Sequence, residues 1–125
     1  MQRKANFAVG SVAFIHILIS IMEMILWPLP FVYERLDRFH FSPEEARTIW
    51  PIVANAGLYN SFIAAGLVWS LYTTRDSQSI KVFFLTCVVI AGIVGAPTVS
   101  WLTIVIQTLP ALLALLLLRV SNKET

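Results

Sequence analysis

Charge is scarce in this chain of 125 residues: Asp, Glu, Lys and Arg together make up 13% of it, about half the share found in soluble domains. Cysteine is almost missing as well. Cys87 stands alone, which excludes an intrachain disulfide framework and any cage built from several thiolates. Nine Lys and Arg against seven Asp and Glu leave a formal charge of +2. Those cations are dispersed rather than gathered in a stripe, so nucleic acid is not an expected partner. No phosphate-cradling glycine loop, nucleophile elbow or HExxH pattern appears, which takes nucleotide-driven chemistry out of the expected functions. A metal or haem would need more ligands than His16 and Glu23 supply, because His40 falls in a polar connection and Cys87 in a different apolar tract. No metal and no cofactor is expected.

What the chain has in quantity is apolar sequence. Hydrophobic residues make up 58% of it, the mean hydropathy is +0.77, and the uncharged tracts are too long for a soluble core of this size to cover. An ionised side chain at mid-bilayer costs several kcal/mol, so charge-free tracts mark the crossings. Nothing from Ala5 to Met22 carries full charge, and Phe7 to Trp27, about 31 Å long as a helix and enough to cross the hydrocarbon, is the first crossing. Pro51 to Tyr72 is the second, with Pro51 in its first turn and Trp69 and Tyr72 at the far interface. From Val82 to Leu118 there is again no charge. Gly95-Ala96-Pro97-Thr98-Val99-Ser100 divides that run with a helix stop, a turn and a new cap. Spans three and four are expected near 80–96 and 100–119. The reading is an all-α, single membrane domain, a four-transmembrane-helix bundle.

The connection from Pro28 to Trp50 mixes Glu34, Arg35, Asp37, Arg38, His40, Glu44, Glu45 and Arg47 with Phe31, Tyr33, Phe39 and Phe41. It belongs at the interface. Ser42-Pro43-Glu44-Glu45 reads as a helix start with a capping box, opening a short interfacial helix that Pro51 should end. Arg3, Lys4, Arg75, Lys81, Arg119 and Lys123 flank one side of the membrane, against Arg35, Arg38 and Arg47 on the other. Both termini are therefore expected in the cytoplasm. The first tract lacks a small-residue cleavage site and carries Glu23, so it reads as a retained helix rather than a secretory signal.

Polar residues inside the tracts are the candidate site. His16, Ser20, Glu23 and Trp27 are spaced four, three and four, which lays them along one stripe of a helix. Ionisable groups at such depth normally face a bundle interior or a cavity. Glu23 and His16 are the expected proton donor and acceptor, with Asn55, Tyr59, Asn60, Gln107 and Trp27 as substrate-binding residues. An alternative places Glu23 near the outer headgroups, snorkelling or pairing with an arginine of the first loop such as Arg35 or Arg38. Asn55 and Tyr59 share a face, while Asn60 lies about 140° around from Asn55, so the two amides should serve different neighbours. Pro110 crowds the carbonyl of Ile106, which predicts a kink beside Gln107. Gly57, Ser61 and Ala65, and likewise Cys87, Ala91 and Gly95, read as two small-residue grooves for close helix packing.

Four segments carry a family resemblance: His16-Ile-Leu-Ile-Ser-Ile-Met-Glu23-Met-Ile-Leu-Trp27, Ala54-Asn55-Ala56-Gly57-Leu58-Tyr59-Asn60, Ala91-Gly92-Ile93-Val94-Gly95-Ala96 and Gln107-Thr108-Leu109-Pro110-Ala111. Together they resemble the domain-of-unknown-function 1304 family of small bacterial membrane proteins, across nearly the whole chain. The resemblance implies a four-helix integral protein of a bacterial plasma (inner) membrane and no established activity. The family pattern has Gln, Gly and Tyr where this chain has Ala56, Ser61 and Val94.

Three functions fit these residues. The first is a pocket that binds, and isomerises or rearranges, a small lipophilic molecule by proton transfer. The second is a proton-coupled transporter or exporter acting as a homodimer. The third is a non-catalytic assembly partner of another membrane protein. Membrane lipids, a small hydrophobic ligand and a second copy of the chain are the expected partners.

Overall fold

The computed structural model describes residues 1–36 and 38–123; Asp37 of the polar connection and the side chain of Lys123, counted above among the flanking charges, lie outside it. The described residues are almost entirely helical. Helix α1 spans Gln2–Ile21 and runs into a wide π turn at Met22–Leu26. A single helical turn, α2, covers Pro30–Tyr33, and α3 covers Pro43–Tyr72. Helix α4 is Ser77–Thr98, a second π turn is Ile104–Thr108, and α5 is Leu109–Lys123. Four of these segments are long and apolar enough to cross a membrane: Gln2–Leu26, Pro43–Tyr72, Ser77–Thr98 and Ile104–Asn122.

The sequence signals for helix ends act as written in one place and are overridden in two others. Ser42 caps α3 with a full capping box: its Oγ accepts from the Glu45 amide at 3.3 Å, and its own amide donates to Glu45 Oε2 at 2.8 Å. Pro51 does not end that element. Helix α3 continues straight through it, and the short helix between the first two crossings is α2 instead. The cost is small because Arg47, whose carbonyl Pro51 leaves without a donor, is exposed at the polar end of the helix, where the carbonyl can be hydrated. The hairpin turn likewise falls later than its glycine suggests. Helix α4 holds Gly95 and Pro97 and reaches Thr98, leaving only Val99, Ser100 and Trp101 to reverse the chain.

Apolar stripes build the centre of the bundle. Val9, Val12 and Ala13 of α1, Leu67 of α3, Leu85 and Val88 of α4, and Ala114 and Leu118 of α5 form one buried cluster. Small residues let the helices close up, but not along the expected four-residue rows. Ala65 and Ala91 face outward, and the buried small positions are Gly57, Ala64, Gly66, Gly92 and Gly95. Gly66 faces the Phe84 ring, and Gly92 faces the Thr108 hydroxyl; a methyl group at either glycine would collide with its neighbour.

Two polar ties bring both termini to one end of the bundle. Ser121 Oγ donates to Gln2 Oε1 at 2.7 Å, and Lys81 Nζ donates to Asn6 Oδ1 at 3.0 Å. At the opposite end Arg38 donates to the Pro97 carbonyl, which joins the first loop to the α4 hairpin. Beneath that loop Trp27, Val32, Tyr33 and Ala46 form a second, smaller core.

Candidate functional site

Both π turns stand two residues ahead of a proline: Met22–Leu26 before Pro28, and Ile104–Thr108 before Pro110. A proline has no amide proton to return to the carbonyl four residues back, and its ring crowds that carbonyl. A wider turn relieves the crowding by passing the hydrogen bond one residue further, as when the Leu109 amide reaches the Ile104 carbonyl. Turns of this kind inside helices frequently lie at functional sites. Glu23 is on the first and Gln107 on the second.

Around the first π turn the freed carbonyl is that of Met24, and Trp50 of α3 supplies the missing donor through its indole N–H at 3.2 Å. Two turns further along α3, Gly57 lets the helix come close. A methyl group on Gly57 would stand 2.7 Å from Met24 Cγ and 2.9 Å from Glu23 Cβ, closer than real side chains pack. That approach places Asn60, three residues on and on the same face, against the carboxyl group. Asn60 Nδ2 donates to Glu23 Oε2 at 2.8 Å and also to the Ala56 carbonyl at 3.3 Å. Because a carbonyl only accepts, the second bond fixes which way the amide is turned. Among the described residues, Glu23 Oε1 and the Asn60 carbonyl oxygen take no hydrogen bond. Both residues are half-buried, so the pair sits in the seam between the first crossing and α3 and not on the outer surface.

The expected stripe faces the bundle, but its members act separately. His16 is only 1% exposed, and its Nδ1 donates to the Val12 carbonyl of its own helix at 2.9 Å. Ser20 donates to the Met24 sulfur at 3.4 Å and does not bridge His16 to Glu23. Trp27 is buried in the small core under the loop, where its indole donates to the Ala46 carbonyl at 2.9 Å and its ring meets Phe41 edge-on. Neither arginine of the alternative pairing reaches Glu23: Arg35 bonds the Phe31 carbonyl and Arg38 that of Pro97.

Of the two α3 amides, then, Asn60 meets Glu23 and Asn55 does not. Asn55 and Tyr59 lie on the exposed face, Tyr59 at 61% and stacked edge-on with Phe62. Gln107 is half-buried and makes no hydrogen bond among the described residues. Trp50 and Thr108 are the additions that the residue pattern did not single out. The Thr108 hydroxyl is buried against Gly92 with no hydrogen-bond partner. Among the described residues no group of three or more His, Cys, Asp or Glu is placed to hold a metal ion. Two open grooves mark the surface, one between α1 and α5 and one around Arg38, His40 and Trp101, and neither is lined by Glu23 or His16.

Set against known proteins, residues 10–119 match the model of the family described as Protein of unknown function (DUF1304). No curated protein and no solved structure matches the chain.

Proposed function

The chain belongs to the DUF1304 family, and from the Glu23–Asn60 pair we propose that this multi-pass membrane protein binds a small lipophilic molecule at the seam between its first crossing and α3. One observation carries the reading. A carboxyl and a carboxamide on two helices long and apolar enough to cross a membrane bond each other through one oxygen and one nitrogen, and among the described residues leave one acceptor oxygen each without a partner. Buried or half-buried polar atoms in hydrocarbon are costly when unpaired. Two adjacent acceptors suit a ligand with a hydroxyl, amine or ammonium group on an otherwise apolar body. Glu23 and Asn60 anchor that group, while Asn55, Tyr59 and Gln107 make no bond to either of them.

His16 stands apart from the binding step, its Nδ1 being engaged by Val12. The reading is thus of a binding site, and a paired acid–base isomerisation by His16 and Glu23 is no part of it. The setting we propose is a bacterial plasma membrane with both termini in the cytoplasm. Arg3, Lys4, Arg75, Lys81 and Arg119 lie toward the end where the termini meet, and Arg35, Arg38 and Arg47 toward the other.

Native mass spectrometry of protein extracted in mild detergent tests the site. Wild type should carry a bound molecule that both Glu23→Gln and Asn60→Leu lose while remaining folded. The same bound mass in both variants would overturn the proposal.

A further inference from the structure

A second surface feature lies at the opposite end of α1 from Glu23. An open groove of about 410 Å³ runs between α1 and α5, walled by Phe7 and Ala8 on one side and Pro110 and Leu113 on the other. The hollow has a local cause. Ala8 leaves room on α1, and Pro110 stands two residues past the π turn that begins the fourth crossing. Ser11 also lines it, but its hydroxyl donates to the Phe7 carbonyl at 3.0 Å, so it is already satisfied within its own helix.

The rim of this apolar groove is cationic. Arg3 and Lys4 line its mouth, and among the described residues their side chains make no hydrogen bond or ion pair. Two other cations at the same end are occupied: Lys81 is buried on Asn6, and Arg75 pairs with Asp76 at 3.5 Å. Among the described residues no carboxylate lines the groove. From Lys4 to Ser11 the α1 helix descends about 10 Å, so the cations stand above a cleft that leads into the hydrocarbon.

We propose that this groove binds one anionic phospholipid, its phosphate held by Arg3 and Lys4 and an acyl chain lying between α1 and α5. Arginine and lysine at the head of a cleft between membrane helices supply the charge and the donors that a lipid phosphate takes. The walls below them select an amphiphile over a free phosphate ion.

The full chain in detergent, titrated with phosphatidylglycerol or with phosphatidylcholine of the same acyl chains and read by native mass spectrometry, tests this. Wild type should bind its first phosphatidylglycerol in preference to phosphatidylcholine. Each cation neutralised at the rim should weaken that binding by about fivefold, so Arg3→Gln with Lys4→Gln should abolish the preference. Arg75→Gln with Arg119→Gln removes the same number of cations from the same end without touching the groove, and the preference should persist. Ala8→Phe fills the cleft and should weaken first binding of both lipids. Glu23→Gln should leave the preference intact. Equal binding of the two lipids by wild type would overturn the proposal, as would an equal loss in the Arg75/Arg119 and Arg3/Lys4 double variants.

Discussion

Trp50 donates its indole N–H to the carbonyl of Met24 across 3.2 Å, and that carbonyl is the one Pro28 leaves without a helical donor. The defect is made in one helix and repaired from another, which ties the first turns of α3 to the first crossing. Trp50→Phe keeps the ring and removes the donor. It should lower stability by about 1 kcal/mol, read as a shift in reversible unfolding in mixed micelles. An unchanged midpoint would mean that solvent or lipid headgroups satisfy Met24 equally well.

Gly57 is the position where α3 comes closest to the first crossing. A methyl group there meets both Met24 and Glu23 at under 3.0 Å, so Gly57→Ala must push the helices apart. The expected cost is about 1–3 kcal/mol. The same displacement should lengthen the Asn60–Glu23 bond, and a loss of stability with ligand binding unaltered would show that the pair tolerates the shift.

The Glu23–Asn60 bond and the His16–Glu23 separation make opposite claims on a double-mutant cycle. Glu23→Leu with Asn60→Leu should show a coupling of about 0.6 kcal/mol, and at most about 1.7, as membrane hydrogen bonds do. His16→Leu with Glu23→Leu should be additive within about 0.5 kcal/mol. Coupling in the second cycle comparable to the first would restore His16 to the site.

Ser42→Ala removes the side-chain half of the capping box at the start of α3, the Oγ that accepts from the Glu45 amide, and keeps the backbone half donated to Glu45 Oε2. It should cost about 1 kcal/mol, and Ser42→Gly only a few tenths. Hydrogen exchange gives a local check, because the Glu45 amide should exchange faster in Ser42→Ala while amides near Leu67 do not change.

Much of the architecture is legible in the sequence for one physical reason: charges are kept out of hydrocarbon, so uncharged tracts report crossings whatever the details of packing. The capping box is legible because both of its hydrogen bonds are local. Pro51 and Gly95 mislead because their helix-ending effects are weak beside continued burial or hydration of the neighbouring turns. The site is half legible. Helical geometry separates Asn55 from Asn60, but choosing between them requires the height at which α3 meets the first crossing, and Gly57, three residues before Asn60, is the residue that sets it. Trp50 escapes notice because its partner is a backbone carbonyl 26 residues away, although Pro28 signals that some donor must be found for Met24.

The wide turn at Met22–Leu26 also governs the direction in which the first crossing hands the chain on. It accommodates one residue more than a regular helix would over the same height. Deleting a single residue such as Ile25 would let the turn close into a regular helix of the same height, whereas inserting one more apolar residue would leave the character of the tract nearly untouched, yet swing everything beyond it by about 100°. Trp27 would then point away from Ala46, and the loop would lose the anchor beneath it. In this protein the count of residues between His16 and Trp27 is as much a part of the design as their identity.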